Sequence, residues 1–169
     1  GLQLWLALPD ADEEIAPAFH HYPGATIPVL SVDGVPVRVM MGSAYGVTSP
    51  VRQFSETLYI EAHLQAGQTL ALPDAEERAV YVASGALTAQ DTALPTYSMT
   101  VFADRPGIVV QATEAARIAV IGGAPVGERT IEWNFVSSRQ ERIEQAKRDW
   151  AEGRFPKVPG DEVEFIPLP

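Results

Sequence analysis

The chain has 169 residues, 46% of them apolar, 20% charged and 8% aromatic, enough for one buried core and little more than a single domain. Subtracting 12 Lys and Arg from 22 Asp and Glu leaves a net charge of −10, which argues against a generic phosphate-binding surface and so against nucleic acid as a direct partner. No stretch approaches the roughly 18 apolar residues of a membrane span, no basic leader precedes an apolar run, and the lack of cysteine excludes disulfides, thiolate nucleophiles and cysteine metal sites.

A first residue of Gly1 rather than Met points to a processed or partial chain. Residues 1–9 (GLQLWLALP) are strongly apolar and are followed by the acidic run Asp10, Asp12, Glu13, Glu14, a pattern expected of an arm seeking a partner surface. From Ala25 to Gly123 short runs of Val, Ile, Leu, Thr and Tyr recur about every 8 to 12 residues, the spacing of a β-sandwich or barrel. Nine runs are predicted as strands: Thr26–Val32, Val35–Gly42, Thr57–Ala66, Thr69–Leu72, Arg78–Ala83, Ala86–Gln90, Tyr97–Phe102, Ile108–Thr113 and Arg117–Ile121. Asp33-Gly34, Ala66-Gly67, Ser84-Gly85 and Pro106-Gly107 supply turn chemistry between them. In Leu58, Ile60, Ala62 and Leu64, alternating with Tyr59, Glu61, His63 and Gln65, one face is core and the other wet.

The period changes after residue 137. Ser138 with Glu141 three residues later reads as a capping box, and the helix it opens carries an apolar stripe of Ile143, Ala146 and Trp150, an i,i+4 pair of Glu144 and Arg148, and Gly153 as its C′ residue. Four prolines between Phe155 and Pro169 predict an extended tail laid over the sandwich. The resulting organisation is an arm or interdomain linker over 1–24, a β-barrel over 25–136, and a helix with its tail over 137–169.

Candidate chemistry is sparse. Adjacent His20 and His21 point apart on extended chain and read as loop surface. His63 and Glu61 share the wet face of one strand, and the Asp74, Glu76, Glu77 turn could offer oxygens to a hard cation; exposed polar side chains in a strand and a solvated loop are the commoner explanation of both groups. The run Gly122 to Gly127 lacks the spacing of a phosphate loop. There is no G-x-S-x-G elbow, so no catalytic residue is assigned.

Several passages resemble the pirin family. GLQLWLALP at 1–9 is similar to the stretch between the two cupin domains of pirin-type proteins. Residues 116–128 (ARIAVIGGAPVGE), Trp133 to Ser138, and Arg154-Phe155 with Pro159-Gly160-Asp161-Glu162 and Phe165 to Pro169 resemble the end of a bacterial pirin subgroup. The resemblance spans essentially the whole chain and implies an all-β, cupin-type jelly roll with one C-terminal α-helix and an extended tail. Pirins resemble two cupins in tandem, with a non-haem iron-type site in the first and a usually metal-free second; some members act as quercetin 2,3-dioxygenases and others bind transcriptional regulators. Setting the last glycine of the cupin motif on Gly85 puts Arg78 at its glutamate and Leu72 and Asp74 at its histidines. Setting the second motif on Gly107 puts Val110 at its histidine and Glu114 at its asparagine. No histidine follows His63, so a site of two histidines and a carboxylate cannot be built here.

The resemblance therefore implies a C-terminal, metal-free cupin domain. Its partner would be an upstream cupin holding Fe or another divalent metal, docked through Leu2, Leu4, Trp5 and Leu6, in the bacterial cytoplasm. A second reading is a stand-alone module whose emptied barrel, lined by Leu58, Ile60, Val80, Val82 and Val110, holds a small apolar or flavonoid ligand or presents a protein-binding surface. A third is a metalloenzyme using His63, Glu61, Asp74 and Glu77.

Overall fold

The computed structural model describes residues 1–169, which divide into two compact units: residues 16–125, and residues 1–15 together with 126–169. The larger unit is built from β1 (Val29–Val32), β2 (Val35–Met41), β3 (Ser43–Ala44), β4 (Val47–Thr48), β5 (Thr57–Leu64), β6 (Thr69–Ala71), β7 (Glu77–Ser84), β8 (Leu87–Ala89), β9 (Thr92–Leu94), β10 (Met99–Phe102), β11 (Val109–Ala112) and β12 (Ala116–Gly123). One sheet has the order β1-β2-β5-β12-β7-β10 and the other β6-β11-β8-β9, with β3 and β4 forming a small ribbon. All pairings are antiparallel. This is the jelly-roll architecture expected from the strand spacing, and each of the nine predicted runs contains a strand. The two sheets stay open rather than closing into a barrel.

Side-chain alternation sets which face each strand buries. Along β5, Leu58, Ile60, Ala62 and Leu64 point inward while Tyr59, Glu61 and His63 face out; a one-residue slip would put all four apolar side chains in water, so the register is firmly fixed. The inward rows of both sheets meet in a single core in which Val35, Val37, Val39, Ile60, Val80, Val82, Val110 and Val120 are fully buried. The central strand β12 pairs with β5 on one side and β7 on the other. Its terminal Gly122 and Gly123 are required by that closeness: a Cβ would lie 2.3 Å from the Glu77 carbonyl oxygen in the first case and 2.1 Å from that of Glu56 in the second.

The predicted turns form, and the β1–β2 hairpin closes through Asp33 and Gly34, both at positive φ. Two further ribbons had no glycine pair to announce them as strands. Gln90 and Asp91 join β8 to β9 with φ of 48° and 62°, and Tyr45 precedes Gly46 between β3 and β4.

The smaller unit holds a hairpin of β13 (Thr130–Glu132) and β14 (Phe135–Ser137) and the helix α1 (Gln140–Ala151). Ile143 and Ala146 are buried with Phe135, and Trp133, Trp150, Phe155 and Leu168 pack against them. Gly153 adopts φ +67° just past the helix, as its C′ role requires.

Three local expectations are corrected. The N-cap position is Arg139, with no side-chain cap, because the Ser138 hydroxyl donates instead to Glu13 at 3.1 Å. Glu144 pairs with Lys147 at 3.6 Å, while Arg148 donates to Gln145, so the Glu144–Arg148 pair does not form. The tail packs within its own unit: Phe165 stacks on Trp150 at 5.6 Å, and the Trp150 indole donates to the Ile166 carbonyl at 2.8 Å. No helix is long and apolar enough to cross a membrane.

Gly85 provides a direct check on the sandwich. Its φ is +76°, and a Cβ there would sit 2.2 Å from the Ala115 carbonyl oxygen. Gly85→Ala should therefore cost more than about 1 kcal/mol, the cost adding backbone strain to a clash. Urea denaturation monitored by far-UV circular dichroism will show a lower midpoint, and an unchanged midpoint would contradict the close approach of the 84–86 turn to residue 115.

Candidate functional site

Of the positions that match the cupin motifs, Leu72, Arg78 and Val110 lie in the interior of the larger unit, whereas Asp74 and Glu114 are exposed. Leu72, just past β6, is 5% exposed, and Val110 on β11 is fully buried; both belong to the apolar core. Neither side chain can ligate a metal. Arg78 on β7 is 2% exposed and lies opposite Gly122 in the β12–β7 register. Its guanidinium donates to the carbonyl oxygens of Pro73 at 2.5 Å and Arg105 at 2.6 Å, and to Asp74 Oδ1 at 3.1 Å. A permanent cation thus occupies the glutamate position and ties the loop before β7 to the loop before β11. The three buried positions do not fit a metal ion, since two are hydrocarbon and the third repels one, and the Asp74 carboxylate is paired with Arg78.

The remaining candidates are scattered. His20 and His21 are exposed, and His63 is exposed on β5 opposite Arg117. Glu61 accepts from the Tyr59 hydroxyl at 2.8 Å. Burial first, then this hydrogen bond and the Glu61 charge, push the Tyr59 phenol well above its usual range despite nearby Arg38, so it serves as a donor and not a base. Asp74 is engaged by Arg78, and Glu77 is exposed at the start of β7. No three histidine or carboxylate side chains come together to share an ion.

A cleft of about 500 Å³ opens at one end of the sandwich, where the end of β2, the start of β5, the end of β12 and the loops before β7 and β11 meet. Glu56, Asp74, Glu76 and Asp104 line it with Ser43 and Arg105. Arg105 is itself bonded to Gln90. Leu58, Ile60, Val80, Val82 and Val110, the side chains that would line an emptied barrel, are packed into the core, and of these Leu58 alone reaches the cleft.

The N-terminal arm carries the feature that sequence reasoning missed. Glu13 accepts hydrogen bonds from the Ser138 amide at 2.7 Å, the Ser137 hydroxyl at 2.9 Å and the Ser138 hydroxyl, and pairs with Arg129 at 2.9 Å; both side chains are less than a tenth exposed. Its carboxylate sits just ahead of α1, where the helix dipole favours an anion. Arg129 also donates to the Leu8 carbonyl and to Asp10, and Glu14 binds Arg139 and Arg142. Ahead of this anchorage Leu2, Leu4, Trp5 and Leu6 are 43–57% exposed. The acidic run was visible in the sequence; its arginine partners, more than 115 residues away, were not.

Two outcomes follow from these contacts. Arg78→Met, which keeps the apolar stem but removes the donors, should destabilise the larger unit by roughly 2–3 kcal/mol. Asp74→Ala should cost less than about 1 kcal/mol, because that carboxylate faces solvent; chemical denaturation of both variants measures the difference, and equal losses would shift the weight from the carbonyls to the ion pair. Burial raises the Glu13 pKa, but the Ser138 amide, the two serine hydroxyls and Arg129 outweigh it and hold it below the usual 4.5. Its contribution is present above that value and is lost as pH falls through the lowered one. Glu13→Gln should therefore be less stable than the parent at pH 7 by about 1–3 kcal/mol, with the gap closing as both are melted at successively lower pH below 4.5.

Comparison with known proteins places this arrangement. The profile of the pirin C-terminal cupin domain matches residues 59–156. A pirin-like protein of Caulobacter vibrioides is 44% identical across all of this chain, which covers 59% of that protein. A Pseudomonas aeruginosa protein whose name carries quercetin 2,3-dioxygenase as a provisional activity is 30% identical over 99% of the chain and 55% of its own length. The crystal structure of a quercetin 2,3-dioxygenase from Acinetobacter baumannii superposes with a TM-score of 0.85 at 24% identity, over 98% of this chain and 56% of that one, and shares its fold. The chain thus spans well under two thirds of these relatives. It belongs to the pirin family and carries that family's C-terminal cupin domain.

Proposed function

We propose that the chain is the metal-free half of a longer, two-cupin pirin-like protein. It serves as a structural and interaction domain, while a metal-dependent, quercetin 2,3-dioxygenase-like activity resides in an upstream cupin. The observation that carries the reading is Arg78: a buried guanidinium at the motif's glutamate position, with Leu72 and Val110 at histidine positions, removes the donors a cupin metal needs. The 55–59% coverage of the pirin relatives supports a further domain in the complete protein. Flavonol oxidation comes to this reading from the Pseudomonas relative's name. Leu2, Leu4, Trp5 and Leu6 are the docking residues, and the cytoplasm is the proposed compartment.

The packed interior weighs against the stand-alone apolar-ligand module, because a core already filled with Val and Ile has no room for a guest.

The test begins with the intact mass of the endogenous protein. A mass near twice 18.3 kDa or somewhat less supports the two-cupin reading; a mass equal to that of this chain overturns it. The complete protein and this chain are then each loaded with Fe(II), desalted, and assayed for bound metal and quercetin oxidation. Metal and turnover are expected with the complete protein alone. Stoichiometric iron and turnover in this chain would transfer the activity here. Removing residues 1–9 should weaken association with the separately expressed upstream half at least about tenfold, since several large apolar contacts are lost.

A further inference from the structure

Residues 1–7 lie outside every helix, turn and β-ladder, and none of them takes part in a backbone hydrogen bond. Seven consecutive residues with free main-chain donors and acceptors present a template for pairing. The side chains are patterned for it: Leu2, Leu4, Leu6 and Leu8 stand at strict two-residue spacing, with Gln3, Trp5 and Ala7 between them. Only a β-strand gathers those four leucines on one face; on a helix they would spread around the axis. Within this chain that face finds no core, for Leu2, Leu4 and Leu6 remain 45%, 43% and 46% exposed. No side chain from Gly1 to Leu8 bears a charge, so the segment lacks the lysines and other gatekeepers that keep an isolated strand from pairing.

Its root is fixed. The Leu8 carbonyl accepts from Arg129 at 2.9 Å, Asp10 pairs with the same guanidinium, and Glu13 is buried against Arg129, Ser137 and Ser138. An anchored segment loses less freedom on docking than a loose terminus would.

We infer that residues 2–7 form a donated β-strand, which pairs through its main chain with an open sheet edge of the domain that accounts for the remaining length of the pirin relatives, its leucine face entering that domain's core. The inference rests on the two-cupin reading and deepens it: docking through exposed side chains alone would leave the backbone of residues 2–7 in water. The occupant is a sheet edge with an apolar inner row and an outer face able to cover Trp5. The relatives of which this chain spans 55–59% have the length to supply one.

Amide hydrogen exchange on the complete, unmodified protein distinguishes the two modes, after its intact mass has established that it is longer than this chain. A strand with one neighbour pairs alternate amides, so protection of at least about 100-fold is expected at every second residue between Leu2 and Ala7, or at all of them if the strand is enclosed on both sides. Unstructured exchange across 2–7 in a longer, folded protein overturns strand donation and leaves side-chain docking intact. A mass equal to this chain alone overturns both readings. The same protection in the isolated chain, accompanied by a dimer in sedimentation, overturns the proposed occupant in favour of a second copy. As a parity check in the complete protein, Leu4→Asp should abolish the protection and Gln3→Lys should retain it; the reverse sensitivity would overturn the assigned face.

Discussion

The packing of β12 between β5 and β7 governs what this fold can and cannot do. Seven residues of one strand, Arg117–Gly123, are paired on both sides, and at its end the neighbouring backbones come so close that a β-carbon at residue 122 or 123 would overlap a carbonyl oxygen. That approach seats Arg78 opposite Gly122. From there the guanidinium reaches the carbonyls of Pro73 and Arg105 and ties together two loops at that end of the sandwich. The apolar rows of both sheets then meet in a continuous core, and a cleft opens on the rim.

Arg78 also makes the motif positions unsuited to a metal ion. A divalent ion in such a site neutralises carboxylate charge and gathers loops by coordination; here a permanent cation gathers two loops by hydrogen bonds to carbonyl oxygens. Arginine suits this role because its planar donors reach several acceptors at once and its charge does not titrate away. Burying that charge is costly, and Asp74 offsets it only in part because its carboxylate is largely in solvent. The carbonyl contacts therefore carry most of the compensation. Such a site ties the two loops together by hydrogen bonds.

Much of the sandwich was legible because burial imposes a period of two. All nine runs read from residue type contain strands, and the turns after Val32, Gln65, Ala83 and Arg105 were marked by glycine. The five missed strands are two or three residues long, too short for a period to show. Three of their ribbons turn through Tyr45, through Gln90 and Asp91, and through Trp133, non-glycine residues held at positive φ by their surroundings. The motif positions were legible as losses, since Leu72, Arg78 and Val110 are wrong in chemical type wherever the chain places them; that Arg78 is fully enclosed and doubly bonded to carbonyls required the register of β7 against β12. The helix start was misread for a different reason. Ser138 and Glu141 satisfy the local capping pattern, but a carboxylate 125 residues earlier in the chain outcompetes Glu141 for Ser138. Local sequence cannot report an acceptor that arrives from the other end of the chain.

That long-range acceptor gives the N-terminal segment its division of labour. Acidic residues 10, 13 and 14 are committed to Arg129, Arg139 and Arg142, so the arm is fastened at its polar end while the apolar end remains without partners. Had the leucines been the fastened part, their alternation would be explained by a core within this chain. Instead the alternating face is exposed, and the anchorage lies immediately behind it. Two consecutive stretches of one segment thus meet different environments: the acidic stretch is bound by arginines in its own unit, and the leucine stretch, exposed here, is the part the inferred strand pairing would cover.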